Sequence, residues 1–314
     1  MQDVPSLTTI TGRLRFRQLQ FLIALDEHGS LHKVAEQLAM TQPGATKMLR
    51  ELEATFGATL FERSRRGVEP NELGRCVVRY ARLAQADLGQ LRQEIAGMLT
   101  GKGGHLAVGG IGGAVAAVLV EAVVRLRRLQ PSISISLRED TSAGLLAALD
   151  AGRIELALCR TSVAARPELY DWELQAEEPV AVAVGPGHVL ARARKVKLAD
   201  LSASSWVVYP ATMPLRTLLE REFNAAGLPM PAYTVETASL FATVLLLQKD
   251  PTLAALLPAG TAAAYAGHGM AVQLPLVLRT RSQPFGIVTR KGWQPSPAAA
   301  LMVRVLRELR DAAG

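Results

Sequence analysis

Gln42, Thr46 and Arg50 recur at steps of four with Lys47 beside them, opposite an apolar set of Ala45, Met48, Leu49, Leu52 and Phe56. On the outer face of a helix such side chains can contact base edges and phosphates. Taken alone, they also fit an ordinary solvated face. A cationic set follows at Arg63, Arg65 and Arg66, next to the apolar anchors Leu60 and Phe61, and suits a phosphate backbone. A different chemistry is legible further on. Gly112-Gly113, Thr141-Ser142, Pro210 to Thr212, and Thr237 to Ser239 stand where helices should begin, and the unpaired N–H groups there favour anions. Arg160, just past a strand, is a candidate partner for an anion, although a surface salt bridge is its plainer reading. Each Ser or Thr of this set fits an ordinary helix cap equally well.

Enzymatic chemistry finds less support. Gly109-Gly110-Ile111-Gly112-Gly113 lies between a strand and a helix, as a dinucleotide loop would, but position 115 is Val, so the third glycine of G-x-G-x-x-G is missing. Glu139-Asp140 lies near enough to stand for that motif's acidic residue, which keeps a nicotinamide-dependent enzyme as the main rival reading. Gly101-Lys102 is followed by glycine and makes no P-loop. Five scattered His form no base–nucleophile pair. Cys76 and Cys159 match no metal spacing and fit reduced, buried thiols; nothing beside Cys159 supports a redox role. No cofactor and no metal is expected.

The DNA-type residues require particular elements. Leu14, Leu19, Phe21, Leu22 and Leu25 recur at helical spacing and stop at His28-Gly29. Ser30 then caps a short helix through Leu31, Val34, Ala35 and Leu38. Ala39-Met40-Thr41 is a tight connection, Thr41 caps the next helix, and Pro43 is tolerated in its first turn. Two short helices so joined form a helix-turn-helix, whose second helix fits the major groove. Residues 58–66 follow as a wing, and this context favours DNA contact over the solvated face. Asn71 caps a long helix to about Thr100. Along it Leu73, Val77, Tyr80, Ala84, Leu88, Leu91, Ile95 and Met98 advance in threes and fours, a two-stranded seam with one stutter. One helix cannot bury that stripe alone, so a dimer is expected; packing on the chain's own domain is the alternative.

After a hinge at residues 101–104 the pattern changes. Strands at 105–110, 133–138 and 154–159 alternate with helices at 113–128 and 142–151. A second unit follows, with strands at 180–185, 206–209, 232–236 and 254–257 and helices at 215–226 and 239–248. A late strand at 285–288 and a basic amphipathic helix at 297–313 close the chain. The fold class is multi-domain: an all-α winged helix-turn-helix (1–70) with a long dimerisation helix (71–100), then an α/β domain (105–314).

The run Gly29-Ser30, Ala35-Glu36-Gln37-Leu38, Thr41-Gln42-Pro43, Leu52-Glu53, Phe56-Gly57, Leu60-Phe61-Glu62-Arg63 and Gly74 resembles the signature of LysR-type transcriptional regulators over residues 16–75. It departs from that signature at Lys33-Val34-Ala35, Gly44-Ala45-Thr46 and Pro70-Asn71. The resemblance implies DNA contacts from Ser30, Thr41, Gln42, Pro43, Thr46, Lys47, Arg50, Arg63, Arg65 and Arg66. It also implies dimers paired into tetramers on double-stranded promoter DNA, and RNA polymerase as a further partner. Its α/β domain is similar to a periplasmic binding protein of type 2, with lobe one at 105–180 and 285–314 and lobe two at 181–284. The cleft between them would hold a small-molecule effector. Thr141 and the Tyr209-Pro210-Ala211-Thr212 run match positions where family members hold effectors, whereas Gly112 and Gly113 replace a common hydroxyl residue. With Ser142, Arg160, Thr237 and Ser239 added, a small organic anion is the expected effector.

Composition agrees without locating anything. The net charge of +7 favours a polyanionic partner, but residues 1–100 hold 13 Lys+Arg against 11 Asp+Glu, so the reader domain is nearly balanced. Met1 to Gly12 is polar, without the apolar stretch of a secretion signal, which argues against a free-standing solute-binding protein. Residues 106–120 are too short to span a bilayer, and Pro and Gly break up 251–278. A cytoplasmic, nucleoid-associated protein with no membrane partner is expected.

Overall fold

The computed structural model describes residues 5–64, 67–100, 104–230 and 233–313. They divide into two compact units, a largely helical one centred on residues 1–101 and an α/β one over 102–149 and 154–314.

The helical unit opens with α1 (Leu7–Arg13), a helix the sequence pattern does not announce, capped by the Ser6 hydroxyl accepting from Thr9 N–H at 3.1 Å. α2 (Phe16–His28) ends where Gly29 turns left-handed, φ 59°, and returns its N–H to Leu25 O. α3 (Leu31–Gln37) begins at Ser30, which holds the cap position although its hydroxyl makes no capping bond. The connection to α4 (Gln42–Phe56) passes through Ala39 at φ 49°, a rare left-handed non-glycine. Phe21, Leu22 and Leu25 of α2 meet Val34 and Ala35 of α3 and Ala45 and Leu52 of α4 in one core. The wing is a β hairpin added to these helices: β1 (Phe61–Ser64) pairs antiparallel with β2 (Gly67–Pro70), Arg63 opposite Val68. Arg65 and Arg66, expected at its tip, lie outside the described residues.

Two glycines fix how closely the wing packs. Val68 N–H donates to Gly29 O at 2.8 Å, and a Cβ on Gly67, itself at φ 126°, would stand 2.5 Å from that oxygen. A Cβ on Gly74 would stand 2.0 Å from Leu60 O. Asn71 joins the wing to α5 (Glu72–Thr100): its Oδ1 accepts from Gly74 N–H at 2.9 Å, its Nδ2 donates to Thr59 O at 2.8 Å, and its backbone N–H donates to Leu60 O. Further along α5, the Arg82 guanidinium forks onto Asp26 and Glu27 at the end of α2, both at 2.8 Å.

The expected seam along α5 divides. Val77 packs with Val78 into the helical unit's own core, so this member of the stripe is not on an open face. Ala84 is half-buried. Leu73, Tyr80, Leu88, Leu91 and Ile95 are exposed, and so is Leu99, at 81%. The side chain of Met98 lies outside the described residues.

The α/β unit holds two five-stranded sheets. In the first, β3 (His105–Gly110) is flanked in parallel by β4 (Ser134–Glu139) and β5 (Leu156–Cys159). Between β3 and β4 run α6 (Gly112–Ala114), a π turn (Val115–Leu119) and α7 (Val120–Leu129) without a break; α8 (Ser142–Asp150) links β4 to β5. β6 (Tyr170–Ala176) is an edge strand. The second sheet has the same plan: β8 (Ser205–Val208) lies parallel to β9 (Tyr233–Glu236) and β10 (Leu253–Pro258), while β7 (Val180–Val184) runs antiparallel to β10. Its helices are α9 (Pro214–Ala225), α10 (Leu240–Lys249) and α11 (Ala259–Gly267), and β11 (Val272–Gln273) forms an edge. β12 (Phe285–Arg290) returns to the first sheet between β5 and β6, and α12 (Pro297–Ala313) packs onto that lobe's core. Val180 pairs with Pro258 in the second sheet, so it belongs to lobe two and not, as expected, to lobe one. The chain crosses between the lobes at Glu177-Glu178-Pro179 and returns over 279–284.

Gly74→Ala should therefore cost about 1–3 kcal/mol, because no flexible side chain can give way to the new methyl group. Chemical denaturation followed by helicity should show a lower midpoint for the helical unit, and an unchanged midpoint would contradict the packing at Leu60.

Candidate functional site

The outer face of α4 is held rigidly. Thr41 Oγ1 accepts from Gly44 N–H at 3.2 Å, setting the first turn, and Thr46 Oγ1 donates to Gln42 O at 3.1 Å. With Ala45 and Leu52 fully buried, Gln42, Pro43, Lys47 and Arg50 are left exposed and Thr46 half-buried. Lys47 Nζ lies 3.8 Å from Glu51 in an open i,i+4 pair, too weak to withhold it from a phosphate. Glu53 ties the same helix to the wing, its Oε1 accepting from Leu60 N–H at 2.9 Å. Arg63 on β1 is exposed. The sequence-derived DNA set within the described residues thus shares one small unit, with Ser30, Thr41 and Pro43 at helix starts and the others presenting polar ends.

The second site is a cleft of about 660 Å³ in the α/β unit, lined from both lobes. Gly112, Gly113, Thr141, Ser142, Arg160, Thr212 and Ser239 of the expected set line it. Pro210 and Thr237 do not. They shape the turns behind the wall: Pro210 O accepts from Met213 N–H, and Thr237 Oγ1 accepts from Ser239 N–H at 3.1 Å. The hydroxyls have structural duties as well. Thr141 Oγ1 caps α8 through Gly144 N–H at 3.2 Å, Ser239 Oγ caps α10 through Ala242 N–H at 3.2 Å, and buried Ser142 Oγ accepts from Arg160 N–H at 3.3 Å. The π turn adds Val115 and Ala116 to the wall.

Arg160 is not a free cation. It is 5% exposed, its Nη2 pairs with the equally buried Glu178, and its Nε donates to Gln283 O at 3.0 Å. Glu178 sits in the outward crossing between lobes and Gln283 in the return, so Arg160 holds both. From lobe two, buried Glu222 accepts the N–H groups of Arg279 and Thr280 in the return segment. Burial pushes the Glu178 carboxyl above the usual carboxylate range, opposed by the Arg160 charge. Sequence reasoning missed Glu178 and Thr261 as wall residues, whereas Tyr209 belongs to the run it had matched to effector positions. Tyr209 Oη and Thr261 Oγ1 are buried with no hydrogen-bond partner among the described residues. Burial, with the Glu178 charge second, raises the Tyr209 hydroxyl far above its ordinary value.

The glycine-rich turn has a packing explanation. A Cβ on Gly109 would meet Leu145 at 2.5 Å and Ile154 at 2.8 Å, and one on Gly110 would meet Leu119 at 2.8 Å. A Cβ on Gly113 would overlap Glu178 Oε1, 1.9 Å away. These glycines admit the chain's own side chains, which removes the main support for the dinucleotide reading. Among the described residues no cluster of His, Cys, Asp and Glu could hold a metal ion, and no helix is long and apolar enough to cross a membrane.

Residues 16–75 match the family described as bacterial regulatory helix-turn-helix protein, lysR family, and residues 100–311 match the LysR substrate binding domain. Over 308 residues the chain is 30% identical to the HTH-type transcriptional regulator GbpR of Azospirillum brasilense, covering 98% of this chain and 90% of that protein. In fold it is similar to full-length CbnR complexed with its target DNA, with a TM-score of 0.63, 24% identity and coverage of 94% of this chain and 99% of the other. The effector binding domain of QuiR in complex with shikimate gives a TM-score of 0.57 at 18% identity, covering 67% of this chain and 98% of that domain.

Two outcomes follow for the buried groups. Cys159 is wholly buried and its thiol is pushed up to about 12, so an aromatic disulfide reagent at pH 8 should modify half-buried Cys76 first and Cys159 only on unfolding. Arg160→Ala strands the Glu178 charge and should cost about 3–5 kcal/mol near neutral pH. A carboxyl whose folded pKa is raised favours the fold below its unfolded pKa, about 4.3, and loses that contribution as pH rises through the folded value. The variant's deficit should therefore be smaller at pH 5 than at pH 8, and a pH-independent deficit would contradict the pairing.

Proposed function

The chain belongs to the LysR family of transcriptional regulators, and on that premise we propose that α4 and the wing read promoter DNA while a small effector in the cleft modulates the reading. The observation that carries this is the polar face of α4, fixed by the Thr41 cap and the buried Ala45 and Leu52 so that Gln42, Lys47 and Arg50 face outward. The solved complexes of CbnR with its target DNA and of the QuiR domain with shikimate support such a division of labour. The exposed part of the α5 stripe supports self-association as dimers, and dimers paired into tetramers would bring two readers to a two-fold symmetric site. RNA polymerase is the further partner, the cytoplasm the compartment, and the chain acts without catalysing a reaction.

The organic anion expected from the sequence rested on the N–H groups of the helix starts and on Arg160 as a counter-charge. With that guanidinium committed to Glu178, the effector is better described as a small molecule recognised by hydroxyls and apolar walls. Binding closes or shifts the lobes only to the extent that its affinity differs between the two arrangements.

Arg50→Ala or Lys47→Ala should weaken promoter binding at least about tenfold in a mobility-shift titration and reduce its salt dependence, leaving effector-induced thermal shifts intact. Thr141→Val should spare DNA affinity and blunt the effector response. Parallel losses in both assays for each variant would overturn the division between reader and sensor.

A further inference from the structure

Resting on the reading of the cleft as the effector site, we propose that its ligand is a neutral, hydroxyl-bearing small molecule, and that the chain's own carboxylates fill the positions an anionic effector would take. Two of the features in the cleft that attract negative charge already have a resident, and the first turns of α8 and α10 are capped by the chain's own Thr141 and Ser239. Arg160 is paired with Glu178 and completed by Gln283 O and Ser282 Oγ. The helical run that starts at Gly112 has Glu178 against Gly113, and a Cβ on Gly112 would meet Glu139 Oε1 at 2.9 Å. A third carboxylate, Asp140, accepts from Arg138 at 2.7 Å and from Thr141 N–H at 2.8 Å. Arg160 is the one cationic side chain among the described residues lining the cleft. An incoming carboxylate would therefore meet Glu139 and two carboxylates already held by arginines, with no free cationic side chain among the described residues lining the cleft to answer it, and would have to shed its water to do so.

What the cleft lacks is a partner for hydroxyls. Tyr209 is 6% exposed and Thr261 3%, both belong to the wall, and both polar ends are unsatisfied among the described residues. Leaving them so is costly, and a ligand hydroxyl, which donates and accepts, can answer either. The remaining wall is apolar, with Leu240, Phe241, Pro258 and Tyr265 from lobe two facing Ile111 and Val163 from lobe one. It suits the C–H face of a sugar or an aromatic ring. Neutral charge, several hydroxyls and an apolar face are the shared chemistry of neutral monosaccharides and hydroxylated aromatic alcohols.

The test is calorimetry on the full chain with matched pairs that differ only in a carboxylate: neutral hexoses against their uronates, and hydroxybenzyl alcohols against hydroxybenzoates. The neutral members should bind at least about tenfold more tightly than their acids. Tyr209→Phe removes a hydroxyl that has no partner, so it should leave the unliganded melting temperature unchanged or higher while weakening neutral ligands by about tenfold. Glu178→Gln frees the Arg160 charge and should move the preference toward the acids. Tighter binding of the acids by the natural chain would overturn this proposal and leave the cleft as the effector site. Binding that survives Ala116→Trp, which fills the cleft, or no binding by either class, would overturn the reading of the site itself, and the proposal with it.

Discussion

Removing a guanidinium from water costs several kcal/mol even after the protein relaxes, so Arg160 persists in the interior only because Glu178 faces it and the return segment supplies a carbonyl and a hydroxyl. That pair sits where the polypeptide passes from one lobe to the other, and its placement constrains much around it. Gly113 must lack a side chain so that the carboxylate can approach. Ser142 must be buried to receive the Arg160 N–H. Both crossings are pinned to the end of β5, while Glu222 pins the return from the opposite lobe. The same two charges also set the electrostatics of the cleft, because a cation spent inside the protein is no longer available to a ligand.

The reader unit was legible in the sequence because its determinants are local. Thr41, Gly29 and Asn71 stand within a few residues of the helix ends they define, and each has the expected position. Ser30 shows the limit: its place follows from the pattern, but the cap bond does not form. Val77 shows another. A three-four spacing reports that residues share a stripe without saying whether the chain's own core reaches it first, and at Val77 it does.

The cleft was legible in outline and obscure in chemistry. Most helix starts were placed within a residue or two, and seven of the nine expected residues line it. Its decisive partner was hidden, because Glu178 lies 18 residues from Arg160 in a connection with no periodicity to mark it. The unsatisfied ends of Tyr209 and Thr261 are properties of packing that spacing cannot carry. α11 was concealed by composition: Ala-rich and bracketed by Gly260 and Gly267, it reads as a broken stretch until β10 supplies the surface it packs on. β6 and β11, both sheet edges, lack the two-sided apolar run that marks an interior strand.

The junction at Asn71 has a mechanical meaning. One asparagine binds the loop before the wing and the first turn of α5, Gly74 brings that turn against Leu60, and Arg82 clasps the end of α2. Recognition helix, hairpin and the base of the long helix are thereby fused into a single stiff lever. A torque applied along α5 would reach the polar face of α4 through the core that these elements share. Any compliance in the reader must come from beyond that clasp, in the stretch of α5 that has no core of its own.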